Sequence, residues 1–298
     1  MRGSSVLLVL VGLGLLSGCR RADSPDPLVT PYPAELCPSC AEWNEPQAPF
    51  QVFGNTYYVG TRGLAALLIT SPEGHVLIDG GLPDSAPLIL ENIEALGFEV
   101  TNVRLILNSH AHFDHAGGIA ALRRASGAAV AASPASAPVL ESGRVGENDP
   151  QFGVAFDYPA AGEVDVVEYG EQLRVGPVTL TPHPTEGHTP GGTTWSWRSC
   201  EGERCLDFVY ADSLTPVSAD GFRFTDSATA VAAFERGFAV LESLPCDVLI
   251  TPHPGASRFW ERTEAGVEGL VDGAACREYA AAGREQLRRR LAEEQAAG

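Results

Sequence analysis

The sequence predicts a mixed α/β fold of two similar halves, with two sheets stacked face to face and helices outside. Three observations carry this. Apolar, strand-like runs alternate with helical stretches in the first half; the second half repeats the pattern; and in both halves apolar runs end in loops that bear histidine. A sheet or helix must bury its apolar face against another element, and paired sheets flanked by helices satisfy every such face.

Residues 1–18 are expected to lie outside the fold. Arg2 is followed by an apolar run from Val6 to Leu16, about the length of a signal-peptide core and too short to span a bilayer as a helix. "LSGC", Leu16 to Cys19, resembles the bacterial lipobox, which implies that Cys19 is lipidated and begins the mature chain. An ordinary secretory signal cleaved nearby is the alternative. Arg20 after the cysteine points, by the same resemblance, to the outer membrane. The chain is therefore expected in the periplasm, touching a membrane only through its lipid anchor. Residues 19–36 are Pro-rich and polar and read as an extended tether, which leaves 37–298 as one domain.

Within that domain "TYYVG" (56–60) and "LAALLIT" (64–70) read as hairpin strands. "HVLID" (75–79) is an apolar run ending in Asp-Gly-Gly. "SAPLILENIEALGF" (85–98) spaces its apolar residues as a helix does, with Gly97 as its stop. "VRLILNS" (103–109) is a continuous apolar strand, expected to be buried on both faces. It runs into "HAHFDHAGG"; then 117–127 reads as a helix and 128–133 as a strand. In the second half, 166–184 gives strands with tight turns, 187–199 a loop and strand, and 205–215 a strand and loop. A helix over 227–244, a strand and loop over 246–254 and a C-terminal helix over 276–295 complete the order.

The formal charge of −18 argues against a nucleic-acid partner, which needs a basic face; the acidity is read as solubility. A monomer is the default expectation. Seven cysteines is an odd number for an exported chain, and a lipidated Cys19 leaves six. Six cysteines allow 15 connectivities, so sequence alone does not choose. Proximity along the chain suggests Cys37–Cys40, Cys200–Cys205 and Cys246–Cys276, which an oxidising compartment permits. "CPSC" lacks the βαβ context of a redox motif and the second CxxC of a zinc site.

The histidines carry the chemistry. His75 and His183 stand alone and read as core or surface residues. "HAHFDH", His110 to His115, is different: four ligand-type side chains in six positions directly after a buried strand. His110 and His112, two apart on extended chain, face the same side and can meet one ion. Asp114 and His115 must face elsewhere, which suits a second ion. Zinc suits imidazole and carboxylate and wants three or four ligands, so one loop cannot complete two sites. His188 in "EGHTPGG" and His253 in "ITPHPG" are the further donors expected. The Gly-Gly pairs after both loops let backbone approach closely.

HxHxDH followed by "GHTPGG" resembles the metallo-β-lactamase superfamily, which implies a four-layer αββα sandwich and a dimetal site. The superfamily also includes glyoxalase II, lactonases, sulfatases and nucleases, so the motif specifies the substrate poorly. The stretch 41–98, "YADSLTPVSADGFRF", "LPCDVLITPHPGAS" and "CREYA" resemble subclass B3 metallo-β-lactamases, from about Trp43 to about Leu291. That resemblance implies two Zn²⁺: the first on His110, His112 and His188, the second on Asp114, His115 and His253. It implies that Ser213 and Thr215 help hold a substrate carboxylate, and that Gln151 in "DPQFG" lines the substrate pocket.

The expected activity is zinc-dependent hydrolysis of the β-lactam amide, carbapenems included, by metal-bound hydroxide. Two zinc ions lower the pKa of a shared water to about 7, and Asp114 helps orient it. No Ser-x-x-Lys or Gly-x-Ser-x-Gly motif offers a serine nucleophile. A lactonase or thioester hydrolase, with Asp212 of "ADSLT" bridging the metals, is the nearest alternative; a non-catalytic zinc-binding lipoprotein is a distant one.

Overall fold

The computed structural model describes residues 26–297. The expected signal segment, Cys19 and the start of the tether lie outside the described residues. Seven strands form the first sheet, in the order β1 (Phe50–Phe53), β2 (Thr56–Tyr58), β3 (Leu67–Ile69), β4 (His75–Ile78), β5 (Val103–Leu107), β6 (Ala129–Ala132) and β7 (Asp165–Val166). The first four pair antiparallel and β4 to β7 pair parallel. The second sheet holds β8 (Leu173–Val175), β9 (Val178–Pro184), β10 (Thr193–Glu201) and β11 (Arg204–Tyr210), antiparallel, with β12 (Val248–Ile250) parallel to β11.

Alternation along each strand sorts the side chains into layers. Leu67, Ile69, Val76 and Ile78 face the second sheet and meet Trp195, Trp197, Phe208, Tyr210 and Ile250 in one apolar cluster. Leu68 and Leu77, one residue out of phase, face the other way, toward helices α2 (Ser85–Ala95) and, beyond two short elements, α4 (Ile119–Ser126). On the far side Val209 and Leu249 meet Phe234, Phe238 and Leu241 of α6 (Ala228–Ser243) and Cys276, Ala280 and Leu287 of α9 (Ala275–Ala297). The result is the helix–sheet–sheet–helix stack. It explains why β3, β4 and β12 read as apolar runs: both faces of each are buried, whereas Arg104 in β5 stays exposed.

Polar ties cross between the sheets where the site is built. Trp195 Nε1 donates to the Asn108 carbonyl (3.0 Å), Thr193 N–H to the Ser109 carbonyl (2.8 Å), and Tyr210 Oη to Asp79 (2.8 Å). Asp79 itself has φ 64°, a left-handed conformation that disfavours a residue with a Cβ. Its fully buried carboxylate takes bonds from Asn108 Nδ2 (3.0 Å) and from Ser109 N–H (2.7 Å) and Oγ (2.6 Å). The strained residue thus anchors the loop that leaves β5.

The described part of the expected tether, 26–36, lies against the domain. Leu28 and Val29 pack on the first helical layer, Tyr32 stacks edge-on against Phe113 (5.3 Å between ring centroids), and Asp26 pairs with Arg124. Three apolar side chains among the prolines are enough to dock the segment. Among the described residues no helix is long and apolar enough to cross a membrane.

Candidate metal centre

The six ligand-type residues named from the sequence converge at one end of the two sheets. β5 ends at Leu107, and an irregular stretch leads to His112, which is itself extended (φ −85°, ψ 157°). A short helix, α3 (Phe113–Ala116), then begins, so Asp114 and His115 turn away from His110 and His112. The sequence predicts the change of direction but not the helix that causes it. Gly118 allows the tight return: a Cβ there would lie 2.2 Å from the Gly80 carbonyl oxygen. His188 arrives on the loop between β9 and β10, and His253 on the loop after β12.

One ligand atom each from His110, His112 and His188 lies within 4.8 Å of the others, and the same holds for His110, Asp114 and His115. His253 joins the second group through Asp114, whose Oδ2 is 3.1 Å from His253 Nε2 and 3.2 Å from His115 Nε2. His110 is within reach of both groups, so the two are adjacent. All but His253 are buried; about a third of its side chain remains exposed.

Three of the imidazoles are held by their outer nitrogen. His110 Nδ1 faces Asp212 Oδ1 at 2.7 Å, His112 Nε2 faces both Asp149 oxygens at 3.2 Å, and His188 Nδ1 meets the Thr215 carbonyl at 2.8 Å. A hydrogen bond at one ring nitrogen places the proton there and leaves the other nitrogen's lone pair free. The free nitrogens point into the cluster. His110 Nε2 and His115 Nε2 are buried without a hydrogen-bond partner, which costs on the order of 1–3 kcal/mol each unless something else satisfies them.

The electrostatics suit a cation. Burial, reinforced by His115, His188 and His112, holds His110 well below the usual imidazole range. Burial first and then His112 push His188 down to about 3. Both are therefore neutral, the ligating form. Burial would raise the Asp114 carboxyl, but His115 and His253 outweigh it and hold it well below the usual carboxylate range. Two neutral imidazoles beside a lasting carboxylate, with orphaned nitrogens facing inward, belong to a donor set that fits zinc.

Gln151 lies over the first group, its Nε2 3.4 Å from both His112 Nδ1 and His188 Nε2. Ser213 is buried beside Asp212, and its hydroxyl makes no hydrogen bond among the described residues. Thr215, expected to hold substrate, spends its carbonyl on His188, with its hydroxyl 3.3 Å from the same ring. Asp212 stands behind His110 and belongs to neither metal group, which is not the position of a bridging ligand. His75 and His183 lie outside the centre: His75 Nδ1 accepts from Ser71 N–H, and His183 pairs with Ser196. The bridges Cys37–Cys40, Cys200–Cys205 and Cys246–Cys276 are all formed, with Cα separations of 5.4, 4.0 and 6.3 Å.

Sequence reasoning did not find Asp149 as the partner of His112, although it stands two residues before Gln151. Nor did it find Asp79 as the anchor of the loop, although the Asp-Gly-Gly that ends β4 was visible. Trp43, whose ring lies 5.1 Å from that of His253, also passed unnoticed.

This fold and this paired histidine centre define a metal-dependent hydrolase class, and the chain belongs to the metallo-β-lactamase superfamily, whose family model matches residues 59–201. The structure superposes on the Rm3 metallo-β-lactamase with a TM-score of 0.85 at 55% identity, covering 87% of this chain and 99% of that one. It superposes on MEM-A1, a subclass B3 metallo-β-lactamase from a soil metagenome library, with a TM-score of 0.83 at 45% identity (86% and 100% covered). A hydroxyacylglutathione hydrolase of Anaeromyxobacter dehalogenans is 34% identical over 130 residues, 44% of this chain. That match spans only 40% of the curated relative's length.

Proposed function

We propose that the protein is a dizinc β-lactamase, holding one ion on His110, His112 and His188 and a second on Asp114, His115 and His253, and acting on carbapenems among its substrates. The observation that carries this is the pair of adjacent donor groups, in a chain 55% identical to a metallo-β-lactamase over nearly that protein's whole length.

Zinc, when bound, supplies a Lewis acid for the amide carbonyl and a water acidified to react near neutral pH. The chain's own groups do the rest. Asp212, Asp149 and the Thr215 carbonyl aim three imidazoles and fix their protons on the outer nitrogens. Asp114 stays ionised and supplies an acceptor that orients the attacking water. Ser213, with its hydroxyl uncommitted, donates to the substrate carboxylate, and Gln151 lines the pocket above the first group.

A lactonase or thioester hydrolase would need Asp212 between the metal groups, and it stands behind one of them. The test is a substrate panel on the mature protein: a penicillin, a cephalosporin, a carbapenem, an acyl-homoserine lactone and S-lactoylglutathione. Expected is turnover of the β-lactams, lost on chelation and restored by zinc. Turnover of the lactone or thioester alone, or undiminished β-lactam turnover in excess chelator, overturns the reading. Ser213→Ala is expected to raise KM with zinc content intact, and Asp114→Ala to lose one of two zinc equivalents.

Export as a monomer, with a lipid anchor at Cys19, belongs to the same reading. Mass spectrometry of the mature N-terminus is expected to show a diacylated or triacylated cysteine; an unmodified residue there overturns the anchor.

A further inference from the structure

His253 differs from the other imidazoles of the centre. His110, His112 and His188 are each aimed by a hydrogen bond to the outer nitrogen. His115 has no such bond, but it is fully buried in packed surroundings. His253 has neither: about a third of its side chain is exposed, and its Nδ1 has no hydrogen-bond partner among the described residues. Its side opens on a cleft of about 400 Å³ lined by Trp43, Arg62, Gly63 and Trp260. The group lying across the ring on that side is the Trp43 indole, with centroids 5.1 Å apart and planes tilted by 55°.

Trp43 is itself closely held. Its carbonyl accepts from Thr61 Oγ1 (2.7 Å) and from Gly63 N–H (3.1 Å), and Arg62 N–H donates to the Glu45 carbonyl (2.8 Å). Gly63 lets the segment press in, since a Cβ there would lie 2.5 Å from Trp43 Cα. The helix that carries Trp43, α1 (Cys40–Trp43), begins at the Cys37–Cys40 bridge, and the indole packs on the apolar cluster those cysteines share with Leu64 and Leu82. Next to it, Asn44 bonds Asp84 (2.7 Å) and Ser85 (2.6 Å) at the start of α2.

We propose that Trp43 is a positioning residue for His253: its indole, carried on a backbone fixed by the neighbouring disulfide and by hydrogen bonds to the Trp43 carbonyl, confines the one partly exposed imidazole of the centre to the rotamer that faces Asp114. This rests on the reading of His253 as a ligand of the second metal. An unrestrained ring must be ordered when the metal binds, and that ordering weakens binding; a ring already confined avoids it. The indole also screens the open side of the ligand from water. Outer groups that orient metal ligands typically change metal affinity by about 10- to 100-fold when removed.

The test is zinc and cobalt binding to the full mature chain, measured for each equivalent by competition with a chromophoric chelator, beside the visible spectrum of the cobalt-substituted protein. In Trp43→Ala one metal equivalent is expected to bind about tenfold more weakly while the other is unchanged. Trp43→Phe, which keeps an aromatic face, is expected to restore most of the loss. His253→Ala is the reference: it must lose one equivalent outright, and if it keeps both at parental affinity the ligand assignment itself falls. If His253→Ala loses an equivalent but Trp43→Ala binds both as the parent does, the inference falls and the assignment stands. Equal weakening of both equivalents in Trp43→Ala, in step with a lower Tm, overturns it as well, since that is what a merely structural tryptophan would give.

Discussion

Asp212 Oδ1 lies 2.7 Å from His110 Nδ1, and neither side chain is more than 1% exposed. Burial raises the carboxyl and lowers the imidazole, so without a metal the pair is drawn toward its uncharged form. A cation at His110 Nε2 reverses that preference, because Nδ1–H then faces a carboxylate across a strong bond. Asp212→Ala is expected to weaken the first zinc equivalent by about 10- to 100-fold, with the second less affected. Unchanged zinc stoichiometry under competing chelator would show that the pair serves the fold alone.

Asp149 serves two masters. Its Oδ1 accepts Gln151 N–H at 2.8 Å, and both oxygens face His112 Nε2 at 3.2 Å. One carboxylate therefore sets a ligand and the loop above it. Asp149→Ala is expected to reduce first-site zinc affinity and to raise KM together. Gln151→Ala is expected to change KM with zinc content unaltered. Steady-state kinetics beside metal analysis separates the two effects.

Gly192 is a packing requirement of the site. A Cβ there would lie 2.5 Å from Asp212 Oδ2 and 2.6 Å from the Thr185 carbonyl oxygen. Gly192→Ala is expected to cost about 1–3 kcal/mol by overpacking and to displace Asp212 from His110. A lower Tm together with weaker binding of the equivalent held by His110, His112 and His188 checks this.

Glu294 links the C-terminal helix to the loop that follows Ser213 and Thr215. It is 8% exposed and accepts from Arg290 Nε (2.6 Å) and Thr225 N–H (2.8 Å). Burial alone would raise its carboxyl, but these donors outweigh burial and bring it down from 4.5 to about 2. A depressed carboxylate stabilises above its unfolded pKa, and that contribution is lost as pH falls through the folded value. Glu294→Gln is expected to cost on the order of 2 kcal/mol at neutral pH. The gap from the parent is expected to close between about pH 4.5 and about pH 2. Urea unfolding of both proteins across that range measures it.

The fold was legible because most of its longer strands stood out as apolar runs. "HVLI" is fully buried and "VRLIL" is apolar apart from the exposed Arg104, and a histidine loop after a strand of that kind has few uses other than ligation. The residues around the ligands were legible only in part. Asp212 and Gln151 drew notice through resemblance, whereas Asp149 sits on irregular chain and Trp43 ends a helix of four residues, neither with a period to mark it. Their roles arise from contacts with His112 and His253, more than thirty and two hundred residues away in the sequence. The short β1, α3 and α5 (Ala137–Ser142) were missed for a related reason: four to six residues are too few for a hydrophobic period to show.

The donors proposed for two ions come from loops of both sheets: His110 to His115 leave β5 of the first, while His188 and His253 leave β9 and β12 of the second. Each such ion would therefore lace together stretches of chain that are distant in sequence, closing long loops as a covalent cross-link does. A ligand that binds only the native state shifts the unfolding equilibrium by mass action. The free-zinc level around the molecule then becomes a folding parameter as well as a requirement for catalysis. When zinc is scarce, the same sequence would lose activity and begin to be cleared by proteases through one shared equilibrium.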